Sequence, residues 1–303
     1  LSRASGEKMK NIVATIQRDQ NAIIRNEDSE VLIIQGAAGS GKTSIALHRI
    51  AFLLYRFKET ISSDDILIIS PNKVFAHYIS NVLPELGEEN IRETTMEALA
   101  ATLLGPKYKF QSFFEQVALL LESGNQAFRD RIQFKATTEF LEQLGDYILH
   151  VNNHNFQATE VDLGRYSVPA ATIQEGYLRA GSAPIPERIN EIVEAIAYYL
   201  EREEQYAIKG KDRTAARKQL KAMFESTNID QLYKKFYAWL DLPKMFKMAA
   251  PGTYEYSDVF PLIYFRMRLE GMTDFEDVKH LVVDEMQDYT PVQYTILEEL
   301  YPC

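Results

Sequence analysis

The chain has 303 residues and a formal net charge of −10, with 46% hydrophobic and 25% charged residues, which is ordinary for a globular chain of two domains or one domain with a large insertion. The acidic balance argues against a surface built mainly to coat nucleic acid, although it leaves room for a local basic groove. The single cysteine, Cys303, excludes a disulfide framework and a cysteine-based zinc site. No apolar run approaches the ~18 residues that span a bilayer. We therefore expect a cytoplasmic protein that makes no membrane contact.

Predicted strands and helices alternate at the two ends of the chain. The apolar run VLIIQ, residues 31–35, predicts a strand buried on both faces. Apolar residues recur at helical spacing in residues 44–57, which predicts an amphipathic helix. A second buried strand is predicted for DILIIS, residues 65–70, followed by a helix over residues 73–83, and a third strand for HLVVD, residues 280–284. Strands separated by helices favour right-handed crossovers and a parallel sheet.

The middle of the chain has a different character. Residues 106–255 show helical and aromatic patterns without a convincing buried strand, and their clearest amphipathic helices cover residues 188–208 and 229–240. We therefore predict an α/β fold whose parallel sheet, with helices on both faces, is built from residues 1–105 and 256–303. The mainly α-helical middle is then a domain inserted between the strands of that sheet.

A glycine-rich stretch, GAAGSGKTS, matches the phosphate-loop pattern G-x-x-x-x-G-K-S/T between a predicted strand and a predicted helix. A triphosphate is held by converging backbone N–H groups, whose close approach requires glycine, and the helix N-terminus adds the positive end of its dipole. Lys42 is expected to contact the β- and γ-phosphates, and the Thr43 hydroxyl to ligate Mg²⁺. The alternative is a glycine-rich turn that merely precedes a helix. The predicted nucleotide-binding residues are Gly36, Ala37, Ala38, Gly39, Ser40, Gly41, Lys42, Thr43 and Ser44.

Two adjacent carboxylates, Asp284 and Glu285, follow the apolar run at residues 281–283. A nucleotide-hydrolysing site needs an acid at a strand end to hold the metal, and a base or water-positioning group beside it. Asp284 fits the first role and Glu285 the second. A strand that ends in a solvated acidic turn is the alternative, and the presence of a phosphate loop in the same chain favours the functional interpretation.

With both motifs present, the chain resembles the superfamily 1 helicases of the UvrD/Rep type. DEMQD, residues 284–288, is similar to the D-E-x-Q-D motif of that family, and IQRDQNAII is similar to its segment with an adenine-reading glutamine. The resemblance implies a RecA-like P-loop NTPase fold, ATP and Mg²⁺ as cofactors, and adenine recognition by Gln20. It also implies catalytic roles for Lys42, Asp284, Glu285 and Gln287.

Two further segments resemble motifs with which this family contacts single-stranded nucleic acid. They are SPNKVFAHYI, residues 70–79, and TTMEAL, residues 94–99. The residues that the resemblance implies for this contact are Ser70, Pro71, Asn72, Thr94 and Thr95. Two departures matter: Ser44 stands where these helicases usually have an arginine that packs on adenine, and SPNK lacks the phenylalanine and threonine of the usual FTNKAA segment.

The end segments are similar to the HelD branch of the superfamily, whose members are RNA-polymerase-associated ATPases of Gram-positive bacteria. The segments are MKNIVATIQRDQNAIIR, GAAGSGKTSIALHR and KHLVVDEMQDYTPVQY. This resemblance implies a bacterial cytoplasmic protein that uses ATP to release or recycle RNA polymerase from nucleic acid. A DNA helicase or translocase that acts on single-stranded DNA is the alternative. The sequence does not indicate the oligomeric state.

In this family ATP lies between two RecA-like domains, and the second domain supplies arginines that stabilise the transferring phosphoryl group. The motif that follows D-E-x-Q-D in the family does not precede Cys303. The resemblance thus implies an N-terminal motor fragment without the second RecA-like domain, which binds Mg-ATP and hydrolyses it very slowly.

Other classes of function have less support. A small-molecule kinase would require a mobile arginine-rich lid near the phosphate loop, and none is evident; a binding module with a structural nucleotide site is a third possibility.

Segment 209–221 has six basic residues and one acidic residue, which indicates a solvated helix face or, alternatively, a nucleic-acid or polymerase contact. We expect His48 and Arg49 to serve packing. The aromatic residues expected to form the core of the insertion are Phe110, Phe113, Phe114, Tyr199, Phe236, Tyr237 and Trp239.

Overall fold

The computed structural model describes residues 18–37, 39–71, 91–122, 124–271 and 278–302. The helices in this part of the chain are α1 (Arg18–Ile24), α2 (Lys42–Arg56), α3 (Met96–Leu104), α4 (Phe113–Glu122), α5 (Gln126–Lys135), α6 (Thr138–His154), α7 (Ala170–Arg179), α8 (Ile185–Glu203), α9 (Gly210–Ala222), α10 (Ile229–Trp239), α11 (Tyr256–Glu270) and α12 (Pro291–Leu300). The strands are β1 (Ile66–Ile69), β2 (Arg92–Thr94), β3 (Lys109–Phe110), β4 (Val161–Asp162), β5 (Ser167–Val168), β6 (Met248–Ala250), β7 (Thr253–Tyr254) and β8 (His280–Val283). None of these helices is long and apolar enough to span a bilayer.

The chain divides into two compact units. Unit 1 comprises residues 1–102, 276–289 and 297–303, and unit 2 comprises residues 103–275 and 290–296. The sequence places the end of the helical insertion at residue 255, whereas the helical unit of the structure extends through α11.

Unit 1 contains a parallel sheet in the order β2-β1-β8. In this sheet Leu67 lies opposite Arg92 on one side and Leu281 on the other. All four residues of β1 are buried, as expected for a central strand that is covered on both faces. The strands predicted for residues 65–70 and 280–284 are therefore confirmed, and β1 pairs with β8 in parallel.

Helix α2 forms the core of unit 1 together with the sheet. Leu47, Ile50 and Leu54, on one face of the helix, pack in a cluster with Ile66 and Ile68 of β1. Burial of each such aliphatic side chain contributes about 1.5–3 kcal/mol. The amphipathic helix predicted after the phosphate loop is confirmed, and its packing fixes the helix that begins at Lys42 against the strand that leads toward the site.

One prediction for unit 1 is wrong. Residues 31–35 form no strand, and the side chains of Val31 and Ile33 are 72% and 57% exposed. An apolar run is buried only where a neighbouring strand edge and covering side chains meet it, and no strand pairs with this run in the part of the chain that the structure describes. The helix predicted for residues 73–83 lies outside the described residues.

Unit 2 is mainly helical. Helix α10 confirms the amphipathic helix predicted for residues 229–240, and α8 confirms the one predicted for residues 188–208 as far as Glu203. Residues 204–208 are not helical, and Gln205 has a positive φ of 50° that ends the helical path. Short strands form a sheet in the order β3-β7-β6 and a separate pair, β4-β5. The expectation of no buried strand is wrong in detail, because Val161 of β4 and Val168 of β5 are fully buried. Two-residue strands are too short to produce a periodic pattern in the sequence.

A buried ionic network joins α11 to the other helices of unit 2. Lys135 Nζ lies 2.6 Å from Asp258 Oδ2, and both side chains are almost wholly buried. The hydroxyls of Tyr233 and Tyr237 donate to Asp258 Oδ1 at 2.8 and 2.7 Å. Burial lowers the pKa of Lys135, and the nearby Asp258 opposes that change. These bonds fasten α5 and α10 to α11 and account for the place of α11 in the helical unit.

A second buried pair lies one turn away, where Arg131 Nε donates to Glu255 Oε2 at 2.8 Å.

The aromatic residues of the insertion are divided between core and surface. Phe236 and Tyr237 are buried as predicted, whereas Phe113, Phe114 and Trp239 are exposed. Phe113 and Phe114 occupy the first turn of α4.

Candidate nucleotide site

The glycine-rich loop enters α2 through backbone conformations that favour glycine. Gly41, the residue before the helix, has φ 81° and ψ 20°, in the left-handed region where a side chain is strained. A Cβ at Gly36 would lie 2.6 Å from Ser40 Oγ, so a side chain there would require Ser40 to shift. The amide of Ser40 donates to Ala37 O at 3.1 Å. The first amides of α2 have no partner within the helix and suit an anionic ligand.

Lys42 brings the positive charge of the loop. Its Nζ donates to Gly36 O at 2.9 Å and to Ala37 O at 3.2 Å. The ammonium group therefore lies across the loop that the sequence assigns to the phosphates. Thr43 is exposed and Ser44 half-buried on the first turn of α2, whereas Ala38 lies outside the described residues.

The structure brings Thr43 and Asp284 together although they are 241 residues apart in the chain. Thr43 Oγ1 donates to Asp284 Oδ1 at 3.5 Å, a long and therefore weak hydrogen bond. The amide of Asp284 donates to Ile69 O at 2.9 Å, which extends the pairing of β8 with β1 by one residue. A hydroxyl and a carboxylate oxygen are ligands that Mg²⁺ accepts, so the donor set fits the predicted metal site.

The environment of Asp284 favours a cation. Burial and the negative charge of Glu285 raise the pKa of Asp284, while the Glu285 amide, the Thr43 hydroxyl and the charge of Lys42 act in the opposite direction. The described residues contain no cluster of three or more histidine, cysteine or acidic side chains that could hold a metal alone. Mg²⁺ is bound through one or two protein ligands together with phosphates and water, which matches this sparse donor set.

Glu285 has a strained backbone. Its φ of 49° and ψ of 43° are left-handed, and it precedes the 3₁₀ turn Met286–Asp288. Such a conformation is unfavourable by about 1–2 kcal/mol for a residue with a side chain, and strain of this kind clusters at functional sites. Gln287 Nε2 donates to Glu285 Oε2 at 2.6 Å, so the glutamine orients the carboxylate predicted to act on water.

Gln20 lies on α1, which Arg49 fastens to α2. Arg49 is buried, and its Nη1 donates to the backbone oxygens of Ile23 and Ile24 at 3.3 and 3.4 Å and also to that of Asn26. Burial lowers the pKa of Arg49. The packing role expected for Arg49 is confirmed, but the sequence gives no sign that it braces the helix of the predicted adenine-reading residue.

The residues predicted to contact nucleic acid lie at the ends of β1 and β2. The amide of Ser70, just after β1, donates to the oxygen of Thr94, the last residue of β2, at 3.1 Å. Thr95 Oγ1 accepts from the amide of Ala98 at 3.0 Å and so caps α3. Ser70 is buried and Pro71 is exposed, and Asn72 lies outside the described residues. The structure therefore groups Ser70, Thr94 and Thr95 and gives Thr95 a structural role.

A further contact missed from the sequence aligns β8 with β1. Lys279 Nζ lies 3.1 Å from Asp65 Oδ1 and donates to Thr60 O at 3.0 Å. The amide of Lys279 donates to Asp65 O at 2.8 Å. Because Asp65 immediately precedes β1, these contacts set the register that places Asp284 after the last residue of β8.

Comparison with protein families matches residues 16–302 to the family described as UvrD/REP helicase N-terminal domain. Comparison with curated proteins finds no match. The matched range contains Gln20, the glycine-rich loop and the Asp284–Asp288 motif, and nearly the whole chain lies within it.

Proposed function

The chain belongs to the UvrD/REP helicase N-terminal domain family, and we propose that its loop and strand-end carboxylates bind Mg-ATP and couple hydrolysis to work on nucleic acid. Proteins of this family are ATP-dependent helicase motors, and their ATP is used with Mg²⁺. Family membership implies a RecA-like fold for the unit that contains the sheet. The helical unit is, on this proposal, an insertion into that fold.

The observation that carries the proposal is the proximity of Thr43 and Asp284. A phosphate loop alone occurs in many nucleotide-binding proteins, but the hydrolysis of ATP also needs an acid that helps to hold the metal beside the loop. The carboxylate lies 3.5 Å from the loop threonine, and its pKa is raised by burial and by Glu285. A cation between these oxygens would offset the repulsion between the two acids.

The residues of the site take complementary roles in this proposal. Mg-ATP, when bound, supplies the phosphoryl group that is transferred to water. Lys42 and the α2 amides hold the phosphates, and Thr43 and Asp284 hold the metal. Glu285 positions the attacking water, and the 2.6 Å hydrogen bond from Gln287 Nε2 orients the Glu285 carboxylate. Gln20 reads adenine from the helix braced by Arg49.

The test is Mg²⁺-dependent binding of a fluorescent ATP analogue to the full chain, compared with a Lys42→Ala variant. Loss of the ammonium at the loop should weaken binding by tenfold or more, since a charge-assisted contact to phosphate contributes about 1.5–3 kcal/mol. Lys58→Ala is the matched control, because Lys58 is exposed in the turn after α2. Equal affinity of the Lys42→Ala variant and the unaltered chain would refute the assignment of the loop.

We propose the release or recycling of RNA polymerase from nucleic acid as the specific task of this motor. The support is the similarity of both end segments to the HelD branch, together with Ser44 in place of the usual arginine and the altered SPNK segment. A DNA helicase or translocase is the second candidate, favoured by the family match. Capture of RNA polymerase and ATP-dependent release of stalled transcription complexes would favour the first function. Strand displacement without either would favour the second.

A further inference from the structure

We propose that the outward face of α9 is a second nucleic-acid contact, which binds the phosphate backbone without reading base sequence. The residues of this lysine face are Lys211, Lys218 and Lys221, all exposed. The choice of nucleic acid as the partner rests on the proposed function, whereas the charge pattern itself is a property of unit 2. The face contains none of the residues of the nucleotide site.

The orientation of α9 is fixed by its buried side. Ala216 and Leu220 are fully buried and lie on the side of the helix opposite the lysines. With 3.6 residues per turn, the three lysines fall within about 80° of arc around the helix axis. Packing on one side therefore presents the lysines together on the other.

The flank of α9 is engaged with the neighbouring helix α8. Arg213 Nη2 donates to Glu194 Oε2 at 3.1 Å, and Arg217 Nη2 donates to Asn190 Oδ1 at 3.3 Å. The pairing with Arg213 lowers the pKa of Glu194. Arg213 and Arg217 of segment 209–221 are thus hydrogen-bonded to α8, and the negative charge of Glu194 is paired.

The one acidic residue of α9, Asp212, interacts with the charge of Lys211 but forms no ion pair with the lysine face. Asp212 accepts from the hydroxyl of Tyr206 at 2.7 Å and from the amide of Lys209 at 3.2 Å, so its carboxylate is held at the start of the helix. Lys211, Lys218 and Lys221 form no ion pair with another described residue. Their charges are left for a partner, on a chain whose net charge is −10.

The spacing of the lysines suits a polyphosphate strand. At 1.5 Å rise per residue, Lys211 and Lys218 are about 10.5 Å apart along the axis, and Lys218 and Lys221 about 4.5 Å. Phosphates of one strand of a duplex recur at about 3.4 Å along its axis, so the face spans roughly four phosphate intervals. Small residues, Thr214 and Ala215, lie between the lysines and allow the strand to approach.

The composition of the face disfavours other partners. Protein interfaces are enriched in aromatic residues and arginine and depleted of lysine, whereas the exposed side of α9 carries lysine, threonine and alanine. A membrane-surface helix needs an accessible apolar side, and the apolar side of α9, with Ala216 and Leu220, is buried. Lysine is a flexible point charge that matches phosphate without a fixed geometry.

The experiment measures the affinity of the full chain, without nucleotide, for fluorescein-labelled single-stranded and duplex oligonucleotides across a range of salt concentrations. A triple variant, Lys211→Gln, Lys218→Gln and Lys221→Gln, should bind more weakly. Its slope of log affinity against log salt should be shallower by about 2.7 on duplex, at about 0.9 per lost phosphate contact, and by about 2.1 on single strands. The same three positions changed to arginine should keep the slope.

The control is a second triple variant with the same change in net charge, Lys58→Gln, Lys244→Gln and Lys247→Gln, at exposed lysines elsewhere. An equal loss in both triple variants, or an unchanged slope in the first, overturns the proposal. Loss of RNA-polymerase capture with unchanged oligonucleotide binding also overturns it, in favour of a protein contact. The triple glutamine variant should keep the Mg²⁺-dependent binding of the ATP analogue, so a failure of the proposed ATPase function is distinguished from a failure of this inference.

Discussion

Replacement of Asp258 by asparagine tests how the buried ionic network holds unit 2 together. Among the described residues, Asp258 forms the ion pair with the Lys135 ammonium, at 2.6 Å. Its other carboxylate oxygen accepts two tyrosine hydroxyl hydrogen bonds. The Asp258→Asn variant removes the charge and keeps an amide oxygen that can still accept from Tyr233 and Tyr237. The change in stability therefore reports the unpaired buried charge rather than lost hydroxyl bonds.

The expected effect is large. Removal of one partner of a buried ion pair is destabilising by about 3–5 kcal/mol, because the other charge stays buried without compensation. Burial already lowers the pKa of Lys135, and loss of Asp258 lowers it further, so the lysine can shed its proton. We therefore expect a loss of about 3 kcal/mol, the lower end of that range, which moves the urea midpoint by about 1 M or more.

The assay is urea unfolding followed by tryptophan fluorescence. Trp239 is the only tryptophan of the chain and lies at the end of α10, the helix that contributes Tyr233 and Tyr237, so its emission reports the unfolding of unit 2. The loss in free energy of unfolding of the double variant Lys135→Met, Asp258→Asn should be smaller than the sum of the losses of the two single variants. The difference should exceed about 1 kcal/mol, since contacting residues couple.

The pH dependence separates lost charge from lost shape. A lysine whose folded pKa lies below its unfolded value binds fewer protons in the folded state, so this group makes stability rise with pH between the lowered folded pKa and about 10.5. In Asp258→Asn the folded pKa of Lys135 falls further, so the loss of stability should shrink as the pH is raised up to the folded pKa of the unaltered chain and stay constant above it. A deficit that is constant with pH would show that packing, not charge, is responsible.

The control lies on the same helix. Arg266 Nε and Glu270 Oε2 form a partly exposed pair at 2.7 Å on α11, and Glu270→Gln should change stability by less than about 1 kcal/mol. If Asp258→Asn is no more destabilising than Glu270→Gln, the network does not hold α11 in the helical unit.

Two further predictions concern unit 1. Asp284→Asn should raise the Tm without nucleotide by about 1–3 °C, because burial and Glu285 raise the pKa of Asp284 and its ionised form is therefore unfavourable near neutral pH. Scanning fluorimetry checks this, a lower Tm contradicts it, and the same variant should lose Mg²⁺-dependent ATP binding. Arg49→Met should reduce the hydrogen-exchange protection of residues 18–24 about tenfold or more, because three backbone oxygens lose a buried donor. Unchanged protection would show that Arg49 does not brace α1.

Much of unit 1 follows from local patterns. The sequence predicts β1, β8 and α2 because their apolar runs and helical periodicity involve only neighbouring residues in the chain. The meeting of Thr43 and Asp284 also agrees with the two sequence motifs, since a nucleotide-hydrolysing site needs a strand-end acid beside the phosphate loop. Residues 31–35 carry an equally apolar pattern, yet Val31 and Ile33 are exposed. A pattern indicates a preference for burial and does not supply the neighbouring strand.

The boundary of the helical unit could not be predicted for a different reason. Lys135 and Asp258 look in the sequence like ordinary surface charges, and 123 residues separate them. Only the packing of α5 against α11 reveals that each neutralises the other in the interior. The left-handed backbone of Glu285 is equally hidden, because glutamate rarely adopts that conformation and no local residue pattern signals it.

Buried Asp258 and half-buried Asp284 differ in how far the fold compensates the negative charge of each. Asp258 faces an ammonium and two hydroxyl donors, so its negative charge is matched within the fold and its loss should be destabilising. Asp284 has a long hydroxyl contact and a neighbouring carboxylate, and its pKa is raised, so its charge lacks a full partner in the fold. Neutral substitutions at the two positions should therefore change stability in opposite directions. Stability alone would favour a neutral residue at position 284, and the presence of an acid there is explained if it binds a cation in the working protein.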